Sequence, residues 1–257
     1  MSDDAEGGTG VGTHHERAHT PDAIRERLGA PHAVSYLRDL IYGAVDGAVT
    51  TFAVVAGATG AGLSNGVVVI MGLANLFADG FSMGVSNFLG SRAAEQQRDR
   101  ARRREERHID RYPEGEREEI RQLFAAKGFE GDDLERIVAV ITSDRERWID
   151  TMMTEELGFA RDATSAVRAA LATFAAFLVV GALPLSVFLI DALAPDVIAD
   201  PFVWSAALTA VAFFGVGSLK ARVVEMRWWR SGLETFLIGG AAAAIAYLVG
   251  VALEGVS

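Results

Sequence analysis

The chain has 257 residues, half of them hydrophobic, with 24 Lys and Arg against 34 Asp and Glu and no cysteine. A net charge of −10 argues against nucleic acid as a partner. The missing thiols exclude disulfides and thiolate metal sites, so any metal must be held by carboxylate, imidazole, thioether or backbone oxygen.

Residues 1–33 are polar, acidic and His-containing, with neither an apolar core nor a small-residue cleavage site. They predict a disordered tail rather than a cleavable signal. His14, His15 and His19 in that tail fit metal collection or no function at all.

From Leu40 to Ser91, 52 residues carry only two charges, Asp46 and Asp79. Gly57, Gly60, Gly62, Ser64, Asn65 and Gly66 supply a turn halfway along, dividing the stretch into two helices each long enough to cross a bilayer. A charge at the centre of a membrane helix costs ~3 kcal/mol on the insertion scale, so an acid there faces a cavity, a partner or a permeating ion. On the second helix Asn75, Asp79, Met83 and Asn87 recur every four residues with Ser82 and Ser86 alongside, making one polar, soft-ligand face. The first helix adds Asp46, with Thr50 one turn on. Gly43, Gly47, Gly80 and Gly84 predict close approach of backbones near these acids. Ser and Asn in such positions also serve as polar glue between helices; the two acids point to an ion pathway.

Residues 92–163 form a polar block rich in both charge signs, predicting a soluble helical insert. Pro113 opens a helix after Tyr112, Gly128 closes it, and Asp132 with Glu135 and Ser143 with Glu146 resemble capping boxes. Three or four helices follow, the first continuing the second membrane helix. Glu105 and His108 are three apart, as are Glu116 and Glu119, while Met152, Met153 and Glu156 share one short helical stretch. Carboxylates, an imidazole and thioethers converging from three helices suit a borderline transition metal such as Fe²⁺ better than Mg²⁺ or Ca²⁺. The same spacing fits a solvated, Arg-paired face and a Met-Met core pair.

Residues 169–190, 201–219 and 235–253 are each near the ~20 apolar residues of a spanning helix, which brings the spans to five. Arg25, Arg27 and Arg38 precede the first span, residues 92–107 follow the second with many Arg, and Lys220, Arg222, Arg227 and Arg230 separate the fourth from the fifth. The opposite side has no Lys or Arg, so the N-terminus is expected in the cytoplasm and the C-terminus outside. Trp228 and Trp229 fit an interfacial belt or a packing role. The expected protein is therefore all-α and polytopic: a tail (1–33), helices 1–2 (34–91), a cytoplasmic metal-binding insert (92–163) and helices 3–5 (164–257).

The run Leu37-Arg38-Asp39-Leu40-Ile41-Tyr42-Gly43-Ala44-Val45-Asp46-Gly47, with Gly72-Leu73-Ala74-Asn75 and Phe81-Ser82-Met83-Gly84, resembles the vacuolar iron transporter family. The likeness extends through Glu105, Glu116, Glu119, Met152-Met153, Glu156 and the Arg230-Ser231-Gly232-Leu233 to Gly239-Gly240 stretch. It implies a five-helix membrane fold, a homodimer with a pore on its twofold axis, and export of Fe²⁺ from the cytosol driven by proton exchange. The membrane would be that of the cell in a prokaryote and of the vacuole in a eukaryote. Family metal positions map onto Glu105, Glu116, Glu119, Met152, Met153 and Glu156 in the insert, and onto Asp46 and Met83 in the membrane. His108 stands where the family commonly has a second Glu. Asn87 stands where many members have an acid, and Asp79 where they often have a small residue, which suggests a relocated membrane carboxylate.

The function expected is a proton-coupled secondary transporter of Fe²⁺, with Mn²⁺, Co²⁺ and Zn²⁺ as further candidate ions and no prosthetic group. A ferritin-like di-iron oxidase is the enzymatic alternative, but it needs two Glu-x-x-His motifs and two more Glu, and only Glu105-x-x-His108 is present. A metal sensor acting through residues 92–163 would leave Asp46 and Asp79 without a role.

Overall fold

A computed structural model describes residues 19–29, 35–159, 165–195, 197–224 and 226–254. Regular structure among them is entirely helical. Within the N-terminal tail, Pro21–Gly29 forms α1, where disorder was expected. The cause is local: Pro21 is pre-set for a first helical turn, the Thr20 hydroxyl accepts the Ala23 N–H at 3.3 Å, and Asp22 pairs with Arg25. His14 and His15 lie outside the described residues.

Five helices are long and apolar enough to cross a membrane: α2 (Leu37–Gly60), α3 (Asn65–Arg111), α7 (Ala166–Leu193), α8 (Pro201–Val224) and α9 (Trp228–Leu253). Helix α2 is central and packs on α3, α7, α8 and α9. Its contact with α7 is backbone to backbone, as the small residues predict: a Cβ added at Gly43 or Gly47 would stand 2.2 Å from Thr173 O or 2.4 Å from Phe177 O. The expected turn lies between α2 and α3, with Gly62 at φ +69°. Phe52, Val55, Val68, Leu76, Phe177, Leu185 and Phe188 form the core of this bundle.

With 47 residues, α3 is about 70 Å long, far more than the ~30 Å of a bilayer core, and runs unbroken into the insert. There α4 (Pro113–Ala125), α5 (Gly131–Thr142), α6 (Arg145–Thr151) and a π-helical turn (Met152–Glu156) fold against its end. Pro113 does open α4, and the chain turns after it at Gly128, φ +93°. The expected capping boxes differ in detail. No side chain caps α5; α6 is capped by Asp144, whose carboxylate accepts the Arg147 N–H, while the Ser143 hydroxyl donates to Val140 O. A second core of Ile109, Ile120, Val138, Ile141, Trp148, Ile149, Met152 and Met153 holds the insert together.

Candidate metal centre

Glu105 and His108 lie one turn apart near the end of α3, and Glu116 is in the first turn of α4. The sharp α3–α4 junction at Tyr112 and Pro113 folds the second carboxylate back over the first. One ligand atom from each of Glu105, His108 and Glu116 lies within 4.8 Å of the others. His108 Nδ1 is 3.2 Å from Glu116 Oε1. Both carboxylates are buried, Glu105 at 1% exposure and Glu116 at 4%.

Burial of two acids this close is unfavourable unless something compensates. Arg104 donates to Glu105 Oε1 at 3.1 Å, which leaves Glu116 as the strained member. Its Oε2 is buried without a hydrogen-bond partner. Burial first, then the charges of Glu119 and Glu105, push the Glu116 carboxyl up to about 7, against the opposing pull of His108. Glu156 is likewise pushed up, by burial and then by Glu105 and Glu119. Glu119 and Glu156 are exposed side chains, yet both act on the same small region. The group is thus acid-rich, partly desolvated and short of positive charge, with one carboxylate oxygen already stripped of partners.

Met152 and Met153 are buried at 0% and 5% exposure in the core of the insert. The π-helical turn carrying them packs on both α3 and α4, the helices that supply the acids and the imidazole. Its widened bonding, with the Leu157 N–H donating to Met152 O, keeps both thioethers inward while Glu156 stays exposed. Arg102 ties the preceding helix α6 to α3 through Asp150 at 2.9 Å and through Glu146.

In the membrane, Asp46 of α2 and Asp79 of α3 are half-buried and close enough for their charges to interact. Met83, one turn from Asp79, packs against the bundle core. Thr50 spends its hydroxyl on Asp46 O at 2.9 Å and so offers no second donor to the Asp46 carboxylate. Sequence reasoning missed one polar knot. The Asn87 amide donates to Asp39 Oδ1 at 2.9 Å, Thr173 Oγ1 at 2.6 Å and Ala169 O at 3.3 Å, tying α2, α3 and α7 together. The four-residue stripe contained Asn87, but its partners are far away in sequence.

Five apolar helices, paired acids inside two of them and a desolvated carboxylate–imidazole group on an extended insert define a polytopic helical membrane protein. The VIT family profile matches residues 37–251, and the chain belongs to that family. It is 31% identical to a vacuolar iron transporter of Toxoplasma gondii, covering 92% of this chain and 82% of that one. Identity is 31% to vacuolar iron transporter 1 of Arabidopsis thaliana, over 82% and 83% of the two chains. With the vacuolar iron transporter of Plasmodium falciparum it is 28%, over 85% and 82%.

Proposed function

We propose that the protein carries Fe²⁺ out of the cytosol in exchange for protons, capturing the ion on the insert and passing it to Asp46, Asp79 and Met83 in the membrane. The observation that carries this reading is the buried Glu105–His108–Glu116 group, with its unpartnered Glu116 oxygen, in a chain whose relatives are named iron transporters. A divalent ion there relieves both the repulsion among the acids and the missing partner. In this reading the exposed Glu119 and Glu156 add carboxylates, and Met152 and Met153, on a turn packed against both helices, add soft donors. Oxygen, nitrogen and thioether donors together favour Fe²⁺, with Mn²⁺, Co²⁺ and Zn²⁺ as competing ions.

Binding displaces protons, because carboxylates and imidazole coordinate only when deprotonated. A Glu116 carboxyl held near neutrality makes capture sensitive to small changes in cytosolic pH. In the membrane, a charge at this depth is costly, so in this reading Asp46 or Asp79 alternates between the ion and a proton. The lipid-level face of α3 bearing Met71, Phe77, Phe81, Ser82 and Ser86 is exposed. Its polar members suit a second copy of the chain better than lipid, in line with a homodimer. The insert and N-terminus lie on the cytoplasmic side, and the membrane is vacuolar if the source is eukaryotic. Liposomes containing the purified protein, given an imposed pH gradient and offered Fe²⁺, Mn²⁺, Co²⁺ and Zn²⁺ in turn, test the reading: Fe²⁺ uptake must follow the gradient and collapse with it.

A further inference from the structure

Where α8 ends and α9 begins, the chain forms an open groove of about 590 Å³ lined by Gly215, Leu219, Arg222, Met226, Arg227 and Trp228, among others. Its floor lies within the apolar part of α8. A Cβ added at Gly215 would meet nothing within 4 Å, so the groove is open at that depth. One wall is the Trp228 indole, held edge-on to Phe214 with ring centres 5.9 Å apart. Its mouth is basic.

The cations of this junction are not equivalent. Lys220 pairs with Glu234 at 3.2 Å, and the Arg230 guanidinium lies over the Trp229 ring at 5.2 Å. Among the described residues, Arg222 and Arg227 have no carboxylate or ring partner, in a chain of net charge −10. Glu225 lies outside the described residues. Helix α9 also begins at Trp228, a residue lining the same groove, with no side-chain cap on its first N–H groups, so the positive end of its dipole lies at that groove.

We propose that this junction binds an anionic phospholipid, with Arg222, Arg227 and the α9 N-terminus on the phosphate and an acyl chain in the groove down to Gly215. Charge complementarity selects the headgroup, and the apolar floor selects a lipid over a soluble anion. An indole at the boundary of two spans is suited to that depth. The site is separate from the ion-handling residues and is independent of which ion is moved.

Thermal unfolding of the full-length protein in maltoside micelles, with phosphatidylcholine, phosphatidylglycerol or glycerol phosphate added, tests the assignment. Phosphatidylglycerol is expected to raise the midpoint above that in phosphatidylcholine, with no such rise from glycerol phosphate. R222Q/R227Q should lose at least half of that rise, and K220Q should keep it. G215L fills the groove while retaining both arginines, and should also lose at least half. An undiminished rise in both R222Q/R227Q and G215L overturns the site, as does an equal rise from glycerol phosphate, which would make it a small-anion site.

Discussion

His108 Nδ1 stands 3.2 Å from Glu116 Oε1 across the α3–α4 junction, while the second oxygen of Glu116 is buried without a partner. A single half-bonded carboxylate beside an imidazole is a poor resting arrangement and a good cation receptor. Its behaviour without and with metal can be worked out from that pair.

Consider first the empty protein. The Glu116 carboxyl is raised from its ordinary 4.5 to about 7 in the folded chain, so the folded state holds a proton that the unfolded state releases. Stability from this group is therefore fullest below about pH 4.5 and is lost as pH rises toward about 7. Melting curves should show wild type falling relative to Glu116→Gln across that window, with parallel curves meaning that Glu116 is not strained. Saturating metal should reverse the loss, by ~2.7 kcal/mol at a hundredfold excess over Kd.

His108→Glu replaces a neutral nitrogen donor by an anionic oxygen donor. In binding to the full-length protein, Mn²⁺ should then gain on Zn²⁺. Calorimetry with both ions decides the matter; an unchanged ion ratio would remove His108 from the ligand set.

Losing Glu116 and Glu119 together to Ala should weaken metal binding at least tenfold, ~1.4 kcal/mol or more. The matched change at Glu130 and Glu135 serves as the control, since Glu135 is engaged only in an exposed pair with Arg121. Equal losses would show a generic charge effect.

Met152 separates packing from ligation. Met152→Leu conserves volume in the insert core and should cost under ~1.5 kcal/mol, whereas Met152→Ala opens a cavity costing ~2–5 kcal/mol. A thioether ligand predicts that Met152→Leu nonetheless weakens binding of soft ions more than of Mn²⁺. Unaltered affinity for every ion would confine Met152 to the core.

Much of this was legible because its signals are local. Apolar length marked all five spans, Pro113 marked the start of α4, and three-residue spacing placed Glu105 beside His108. Glu116 entered by its three-residue spacing with Glu119 and by the family resemblance, and its meeting with Glu105 and His108 became visible only through the α3–α4 junction at Tyr112 and Pro113. Other features were hidden for physical reasons. The π-helical turn at Met152 depends on which carbonyl the Leu157 N–H selects, a choice made by packing rather than by residue spacing. The shift of a cap from Ser143 to Asp144 turns on one residue, and both types are good caps. The Asn87 knot joins groups 48 and 86 positions apart, which no periodicity can reveal.

The central claim is that the paired acids of α2 and α3 carry the ion across, while the insert only captures it. Fe²⁺ uptake into proteoliposomes under an imposed pH gradient, comparing wild type with Asp46→Asn, tests it most directly. Flux should be abolished in Asp46→Asn with metal binding to the insert nearly intact; wild-type flux in that variant would contradict the account.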